Sequence, residues 1–474
     1  MICRKCGNKL PDGSKFCTVC GADQTQMRQT PVKQTTPPAT PERSRRGSLA
    51  ALITILSVLL LGALGLLFYS FFLEEPAGIS SPDCSLQNGT GTTSQTEMET
   101  EPNDNLQTSG PTDPDQTITE TTAPPLTAED QAQLLLENMS TEEMVYQLFV
   151  VTPEALTGED AVLNSSAGLA DALAAMPVGG VILAERNIST PEQCSALINA
   201  MQEASGTPMF IAVNEEGGRY TEISSNSAMG VAQPPLASEI SDEQAAYDNY
   251  LSLAQSILAL GFNLNLAPVA DVNSNPDNVV MGQRAFGSDA DTVGRMVVSA
   301  ARGLSDGDVI PCLKHFPGHG DVVTDSYAYT YKSLEELKAT ELVSFAAGID
   351  AGLPMIMAGY IACPEVTGDE LPAPLSHSLI QTLLRAELGF EGVVMTDVLL
   401  REDISRMFPD GQAAVMSLQA GCDLLLMPGD IEATAQAILQ ALETGNLDAA
   451  RLEEIVLRIL KLKVEYGIIP AASV

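Results

Sequence analysis

Positive charge is scarce in this chain, whose 474 residues hold 24 Lys and Arg against 61 Asp and Glu, for a net charge of -37. Residues 1–48 contain nine Lys or Arg and only three Asp or Glu, so the remainder carries -43. A body this acidic repels nucleic acid and anionic lipid head groups. We therefore expect no nucleic-acid partner, and the charge suits a neutral ligand or serves solubility.

Paired cysteines are absent beyond residue 20. The five later cysteines stand singly, follow no framework spacing, and lie in several cases within apolar runs: Cys84, Cys194, Cys312, Cys363 and Cys422. Such cysteines are typical of small buried hydrophobic residues. A disulfide scaffold is therefore not predicted.

The first four cysteines, in contrast, form two CxxC pairs within MICRKCGNKLPDGSKFCTVCG. Four thiolates that converge from two tight turns suit tetrahedral Zn²⁺. We interpret residues 1–22 as a zinc ribbon with a structural Zn²⁺ bound by Cys3, Cys6, Cys17 and Cys20; metal-free thiols or disulfides are the alternative. A ribbon this small is expected to need its metal to fold.

Residues 49–73, LAALITILSVLLLGALGLLFYSFFL, carry no charge. A bilayer requires about 20 apolar residues, so this run predicts one transmembrane helix in contact with membrane lipid. A cleaved signal peptide is the alternative, but the run is too long, lies too deep in the chain and lacks a small-residue cleavage site. Arginines precede the run and glutamates follow it, which predicts a cytoplasmic N-terminus and an extracytoplasmic remainder in a single-pass cell-membrane protein.

Two segments around this run have the composition of linkers. Residues 23–48 are rich in Gln, Thr and Pro, and residues 74–127 in Thr, Ser, Pro and acidic residues, which predicts a disordered linker and an extended tether. The predicted ribbon then lies in the reducing cytoplasm. That it binds a protein partner there is a further hypothesis. The globular body is assigned to residues 128–474.

Eight short apolar runs recur through this body, at 148–152, 179–184, 208–214, 262–272, 309–316, 354–360, 392–398 and 423–429. Segments with helical periodicity separate them. Continuous apolar runs are typical of strands buried on both faces of a parallel sheet. Eight such units predict an α/β fold of the TIM (β/α)8 type. A doubly wound open sheet is the alternative, although no GxGxxG follows any run.

The predicted strand ends are polar, in contrast to the strands. Asn214, Glu215 and Glu216 follow the third run, and Lys314 and His315 end the fifth. Function in such barrels lies at the carboxyl ends of the strands. Carboxylates, amides and cations at one mouth indicate a site that binds hydroxyl groups, as in sugars.

Four motifs follow one another in the body: GFNLNLAPVADVNSNPDN, GQRAFG, KHFPGHGD and GVVMTDV. Together they resemble the N-terminal barrel of family-three glycoside hydrolases, most closely the bacterial β-N-acetylglucosaminidases, over most of residues 130–465. The resemblance implies a retaining mechanism without a catalytic cofactor, in which Asp397 attacks the anomeric carbon of the glycan substrate. It also implies that Arg284, Lys314 and His315 bind sugar hydroxyls.

The chain departs from this branch where the branch has its acid/base histidine, in an Asp-Ser-His motif on the loop after the fifth strand. Here the motif is Asp325-Ser326-Tyr327. Histidine titrates near pH 6.5 and tyrosine near 10, so Tyr327 can donate a hydrogen bond but is a poor base. Candidates for a substitute acid/base are Glu215, Glu216 and Asp321, besides Tyr327 itself.

Three further positions depart from the branch. Asn214 replaces a sugar-binding aspartate, Glu222 an arginine, and Tyr360 a histidine. Two hypotheses follow. The first is a membrane-anchored, extracytoplasmic, β-N-acetylhexosaminidase-like glycosidase that acts on carbohydrate or cell-wall glycan. The alternative is a catalytically impaired family member that serves as a glycan-binding or scaffold protein.

Overall fold

The computed structural model describes residues 126–324, 327–409 and 411–471. The predicted zinc ribbon, linker and transmembrane helix lie outside the described residues, as do Asp325 and all but the last two residues of the predicted tether. Within the described ranges, no helix combines the length and the apolar character needed to cross a bilayer.

Eight short parallel strands form the centre of the described part: β1 (Phe149–Val151), β2 (Gly180–Ile182), β3 (Phe210–Val213), β4 (Leu264–Asn265), β5 (Ile310–Phe316), β6 (Met355–Ala358), β7 (Val393–Thr396) and β8 (Leu425–Leu426). Each strand from β1 to β7 neighbours the next, and β8 pairs with β1. Between β7 and β8 the ladder is reduced to a bridge from Met395 to Leu424, so the barrel is nearly closed. Every strand falls within a predicted run. The barrel prediction is confirmed and the doubly wound alternative is wrong.

Helices connect these strands on the outside. The longer ones are Ala128–Leu136, Ala167–Ala175, Pro191–Ala204, Glu243–Leu258, Ala290–Asp306, Glu341–Asp350, Gln412–Ala420, Ile431–Glu443 and Ala449–Glu465, with a π-helix at Ser378–Glu387. Shorter helices are Thr141–Tyr146, Pro153–Thr157, Leu334–Ala339, Pro364–Thr367 and Glu402–Met407. Several begin at polar caps; the Asp242 carboxylate, for example, accepts from the Ala245 amide at 2.9 Å. Such caps satisfy amides that have no partner within the helix.

The core lies inside the barrel and between the barrel and its helices. All seven residues of β5 are buried, including the polar pair Lys314 and His315. Within the described residues four cysteines are free and buried, namely Cys194, Cys312, Cys363 and Cys422. They are therefore small core residues, as their scattered positions predict, and burial raises the pKa of the Cys312 thiol to about 12.

Candidate active site

The carboxyl ends of the strands surround a cavity of about 300 Å³. Its lining includes five residues that the sequence singles out: Asn214, Arg284, Lys314, His315 and Asp397. They come from the ends of β3, β5 and β7 and from the segment after β4, which are far apart in the sequence. A larger hollow, of about 760 Å³, is lined by none of these five residues.

A buried carboxylate, Glu216, holds together two of the cations that line the cavity, Arg284 and Lys314. Arg284 donates from Nε to Glu216 Oε2 at 2.8 Å and from its terminal nitrogen to Oε1 at 2.9 Å. Lys314 Nζ lies 2.5 Å from Glu216 Oε1 and 2.6 Å from Asn214 Oδ1. Burial alone would raise the pKa of Glu216, but Lys314 and Arg284 outweigh it and lower that pKa to about 2. Glu216 is therefore ionised and fixed in position between Arg284 and Lys314.

His315 is oriented by a second buried carboxylate, Asp271. The His315 Nδ1 lies 2.7 Å from Asp271 Oδ2, while Asp271 Oδ1 accepts from the backbone amides of His315, at 3.2 Å, and His319, at 2.6 Å. Burial lowers the pKa of His315, and Arg284 and Lys314 lower it further. The neutral ring then donates through Nδ1, which leaves its other nitrogen available to the cavity.

Asp397 directly follows β7 and lines the cavity. Its backbone amide donates to the Ala358 carbonyl at 2.9 Å, and its Oδ1 accepts from the Val398 amide at 2.7 Å. Tyr360, which replaces the branch histidine, is buried and donates its hydroxyl to the Asp397 carbonyl at 3.3 Å. Asp397, the predicted nucleophile, is thus held by contacts with the backbone at the ends of β6 and β7.

Tyr327 does not line this cavity. Its hydroxyl donates to the backbone carbonyl of Glu370, and its amide donates to Asp403 Oδ2 at 2.9 Å. Burial raises the pKa of the Tyr327 hydroxyl above its ordinary value. In this conformation the hydroxyl is committed to a carbonyl and the phenol is protonated.

The other suggested acid/base residues are also engaged elsewhere. Glu215 is fully buried and accepts from the amides of Ile223, at 2.9 Å, and Ser224, at 3.2 Å. Glu216 is ionised by its two cations. Asp321 accepts from the Thr330 hydroxyl at 2.9 Å and does not line the cavity. None of the three is placed in this structure as a proton donor to a bound sugar.

Sequence reasoning missed several residues of the cavity. Tyr220 lies under the Arg284 guanidinium, with 4.1 Å between the guanidinium carbon and the ring centroid. Arg401 also lines the cavity, near Asp397. Glu222, by contrast, was named from the sequence as replacing an arginine, and it lines the cavity while accepting from the Glu185 amide at 2.7 Å. The proximity of Arg401 to the predicted nucleophile, four residues along the chain, is a signal that could have identified it.

Among the described residues, no cluster of three or more His, Cys, Asp or Glu side chains is arranged to hold a metal ion. The four N-terminal cysteines lie outside those residues. A sequence model described as a zinc-ribbon domain matches residues 2–23. That match covers both CxxC pairs.

A barrel with a cavity at the carboxyl ends of its strands, lined by carboxylates, cations and a histidine, is the architecture of a TIM-barrel enzyme. The sequence model described as the glycosyl hydrolase family 3 N terminal domain matches residues 140–462. The chain belongs to this family.

Named relatives agree with this assignment. Beta-hexosaminidase A of Pseudoalteromonas piscicida is 32% identical over 333 residues, which span 63% of this chain and 55% of that protein. The beta-hexosaminidase of Xylella fastidiosa strain M23 is 34% identical over 266 residues, 53% of this chain and 76% of that protein. The structure of a family 3 β-N-acetylglucosaminidase from Paenibacillus sp. str. FPU-7 matches with a TM-score of 0.66 and 33% identity, over 71% of this chain and 64% of that one. The chain thus spans just over half the length of the first relative.

Proposed function

We propose that the protein is a retaining glycoside hydrolase of the β-N-acetylhexosaminidase type. Asp397 attacks the anomeric carbon, and the covalent adduct is then hydrolysed by water. Arg284, Lys314, His315 and Asn214 bind the ring hydroxyls. The sugar is held in a cavity whose cations are already paired and immobile, so little side-chain entropy is lost on binding.

One observation carries this proposal: Asp397 lines the same small cavity as Arg284, Lys314 and His315. A carboxylate alone would be compatible with a helix cap or a structural role. Because Asp397 shares a cavity at the barrel mouth with the cation cluster, one cavity contains both a site for a sugar and a group that can attack it.

The test is hydrolysis of an aryl β-N-acetylglucosaminide and an aryl β-glucoside by the full-length chain, with Asp397→Asn as the matched variant. An aryl leaving group departs without protonation, so turnover reports the nucleophile alone. Turnover that disappears in Asp397→Asn supports the proposal. Equal rates for the two proteins on both substrates refute it.

A second candidate is a glycan-binding protein with little or no catalysis. The observation that favours it is the Tyr327 hydroxyl, which is committed to the Glu370 carbonyl where the family branch has its proton-donating histidine. Asp325, the other member of the dyad, lies outside the described residues. Binding of N-acetylglucosamine oligomers without turnover of either aryl glycoside is the expected result for this candidate.

The remaining predictions concern the N-terminal region and belong to the same proposal. The uncharged run at 49–73 anchors the protein in the cell membrane, with the barrel outside and the ribbon in the cytoplasm. The four cysteine thiolates of the ribbon form the donor set that Zn²⁺ prefers. Zinc analysis of the chain and of a Cys17→Ser/Cys20→Ser variant, together with protease accessibility in intact cells, tests these assignments.

A further inference from the structure

Three tyrosines form a row on the segment that replaces the acid/base loop. Tyr327, Tyr329 and Tyr331 alternate along the chain and therefore lie on one face of an extended segment. Ring centroids of Tyr327 and Tyr329 are 5.4 Å apart, and those of Tyr329 and Tyr331 are 6.4 Å apart with planes only 12° from parallel. The chain contains ten tyrosines in all, so three tyrosines joined by two successive ring contacts are a local concentration.

The outer rings of this row are open to solvent. Tyr329 is 39% exposed and Tyr331 is 69% exposed. Core tyrosines such as Tyr250, which is 2% exposed, are buried, whereas these two rings have a substantial solvent-exposed surface. Exposed aromatic rings with a polar tip are typical of binding surfaces.

The row is rigid at its inner end. Residues Ala328–Tyr329 pair in parallel with Ile361–Ala362, and the Ala328 amide donates to the Tyr360 carbonyl at 2.9 Å. The Tyr327 hydroxyl is fixed to the Glu370 carbonyl. Tyr327 and the backbone of Tyr329 are thus pre-positioned, so a ligand would not have to order this end of the row.

The row also begins at the rim of the cavity. Asp403 accepts from the Tyr327 amide through Oδ2, at 2.9 Å, and its Oδ1 lies 3.5 Å from Nε of Arg401, a cavity-lining residue. One carboxylate therefore joins the cavity wall to the first tyrosine. The cavity, of about 300 Å³, is at the lower limit for ligand pockets, so a longer ligand must leave it over the rim.

We propose that Tyr327, Tyr329 and Tyr331 form a stacking platform for the further sugars of a neutral oligosaccharide whose first sugar occupies the cavity. The C–H face of a pyranose ring is apolar and packs on aromatic rings, while its hydroxyls remain in water. A neutral chain fits because the residues after 48 carry -43, which disfavours an anionic polymer. The inference rests on the proposed function in taking a sugar as the occupant of the cavity.

The experiment measures Kd for N-acetylglucosamine and its β-1,4-linked dimer, trimer and tetramer by calorimetry, with the full-length chain carrying Asp397→Asn to prevent hydrolysis. We expect affinity to increase with length, by roughly 2- to 12-fold for each ring engaged. Tyr331→Ala should remove the last increment, and Tyr329→Ala should remove more. Tyr331→Phe should retain it, because the ring face remains.

The controls separate this inference from the proposed hydrolase activity. Leu134→Ala removes an exposed apolar side chain from the first helix, and it should leave the length dependence unchanged. Turnover of the aryl β-N-acetylglucosaminide by the chain with Asp397 intact is measured in parallel. Turnover with equal Kd for monomer and tetramer, or a tetramer Kd unaffected by Tyr331→Ala, would overturn the platform and leave the hydrolase standing. Length-dependent, ring-dependent binding without turnover would overturn the hydrolase and support the platform, and failure of every oligomer to bind would overturn the platform.

Discussion

Glu216 and Arg284 form a bidentate pair inside the cavity, with both carboxylate oxygens occupied by the same guanidinium. Because Lys314 shares one of those oxygens, one buried carboxylate neutralises part of the charge of two buried cations. This arrangement fixes the orientation of both cations, and under the proposed function it makes Glu216 a positioning residue for the sugar site.

Glu216→Gln should therefore weaken both folding and binding. Removing one partner of a buried ion pair costs about 3–5 kcal/mol, because the remaining charge is left uncompensated. We expect the unfolding free energy to fall by that amount and the Kd for N-acetylglucosamine to rise at least tenfold. The pKa of Glu216 is lowered to about 2. The unsubstituted protein should therefore keep the stabilisation from the Glu216 carboxylate above about pH 4.5 and lose it only as the pH falls toward 2. Glu239→Gln, at an exposed position, is the control; similar stability for the two variants would contradict the role of Glu216.

Asp271→Asn should affect the site through His315. Burial raises the pKa of the Asp271 carboxyl to about 6, so the carboxylate that accepts the His315 proton is lost as the pH falls through that value. For the unsubstituted protein we expect kcat/KM to fall on the acid side of about pH 6. In Asp271→Asn we expect kcat/KM to fall by up to about 100-fold, because the His315 ring is misplaced, and the acid limb to disappear. Asp171→Asn, on an exposed helix, should change neither. An unaltered pH profile in Asp271→Asn would show that the carboxylate has only a structural role.

Tyr327→His tests whether the altered loop position limits the chemistry. A histidine that titrates near pH 6.5 can act both as acid and as base, which contributes roughly 100- to 10,000-fold in enzymes. We expect a gain of at least tenfold on an N-acetylglucosamine disaccharide, whose leaving group needs protonation, and little change on the aryl glycoside. Tyr327→Phe removes the bond to Glu370 without adding a titrating group, so it controls for release of the loop. Equal gains in both variants would assign the effect to loop mobility.

The barrel could be predicted from the sequence because its strands are buried on both faces. Each strand is therefore a continuous apolar run, and the polar residues that follow those runs meet at one mouth as a consequence of parallel topology. This is why Lys314, His315 and Asp397 could be assigned to one site before any distance was known.

The contacts that decide the chemistry could not be predicted in this way. Asp271 is 44 residues from His315 and lies in the apolar run 262–272, yet β4 ends at Asn265 and Asp271 reaches the ring from the segment beyond the strand. The role of Glu216 depends on a pair with Arg284, 68 residues away. The direction of the Tyr327 hydroxyl depends on Glu370, which carries no motif. Such pairings depend on the tertiary geometry, which residue type and spacing along the chain do not specify.

Gly320, in the KHFPGHGD motif, shows why that loop needs its glycines. A Cβ at this position would lie 1.5 Å from the Val272 carbonyl oxygen, and the Gly320 carbonyl accepts from the Asn278 side chain at 3.1 Å. Gly320→Ala should push the two segments apart, with a cost of roughly 1–3 kcal/mol in unfolding free energy and a loss of sugar affinity. Gly287→Ala, whose Cβ would meet nothing within 4 Å, should change stability by less than about 0.5 kcal/mol. Chemical unfolding and calorimetry compare the pair, and equal effects would contradict the close approach.

Lys463 is fully buried, and its Nζ donates to Gln147 Oε1 at 2.9 Å and lies 5.0 Å from the centroid of the Phe210 ring. Burial lowers the pKa of this lysine to about 7, whereas an unfolded lysine titrates near 10.4. Between these values the unfolded chain binds one more proton than the folded chain, so Lys463 makes the folded state more stable as the pH rises, by up to about 1.4 kcal/mol per pH unit. Below about pH 7 both states are charged, and the full cost of burying the ammonium is present.

Lys463→Met removes this titration while keeping most of the side-chain volume. We expect the variant to gain stability relative to the unsubstituted chain at pH 6, and that advantage to shrink steadily from pH 7 to 10. Urea unfolding followed by circular dichroism measures the difference, because the chain has no tryptophan to report by fluorescence. Lys461→Met is the control on the same helix: a hydrogen bond to Glu129 raises the pKa of Lys461, so its removal should introduce no slope in this range. A difference between Lys463→Met and the unsubstituted chain that stays constant from pH 6 to 10 would mean that Lys463 is charged in the folded protein, with Gln147 and the Phe210 ring sufficient to stabilise the ammonium.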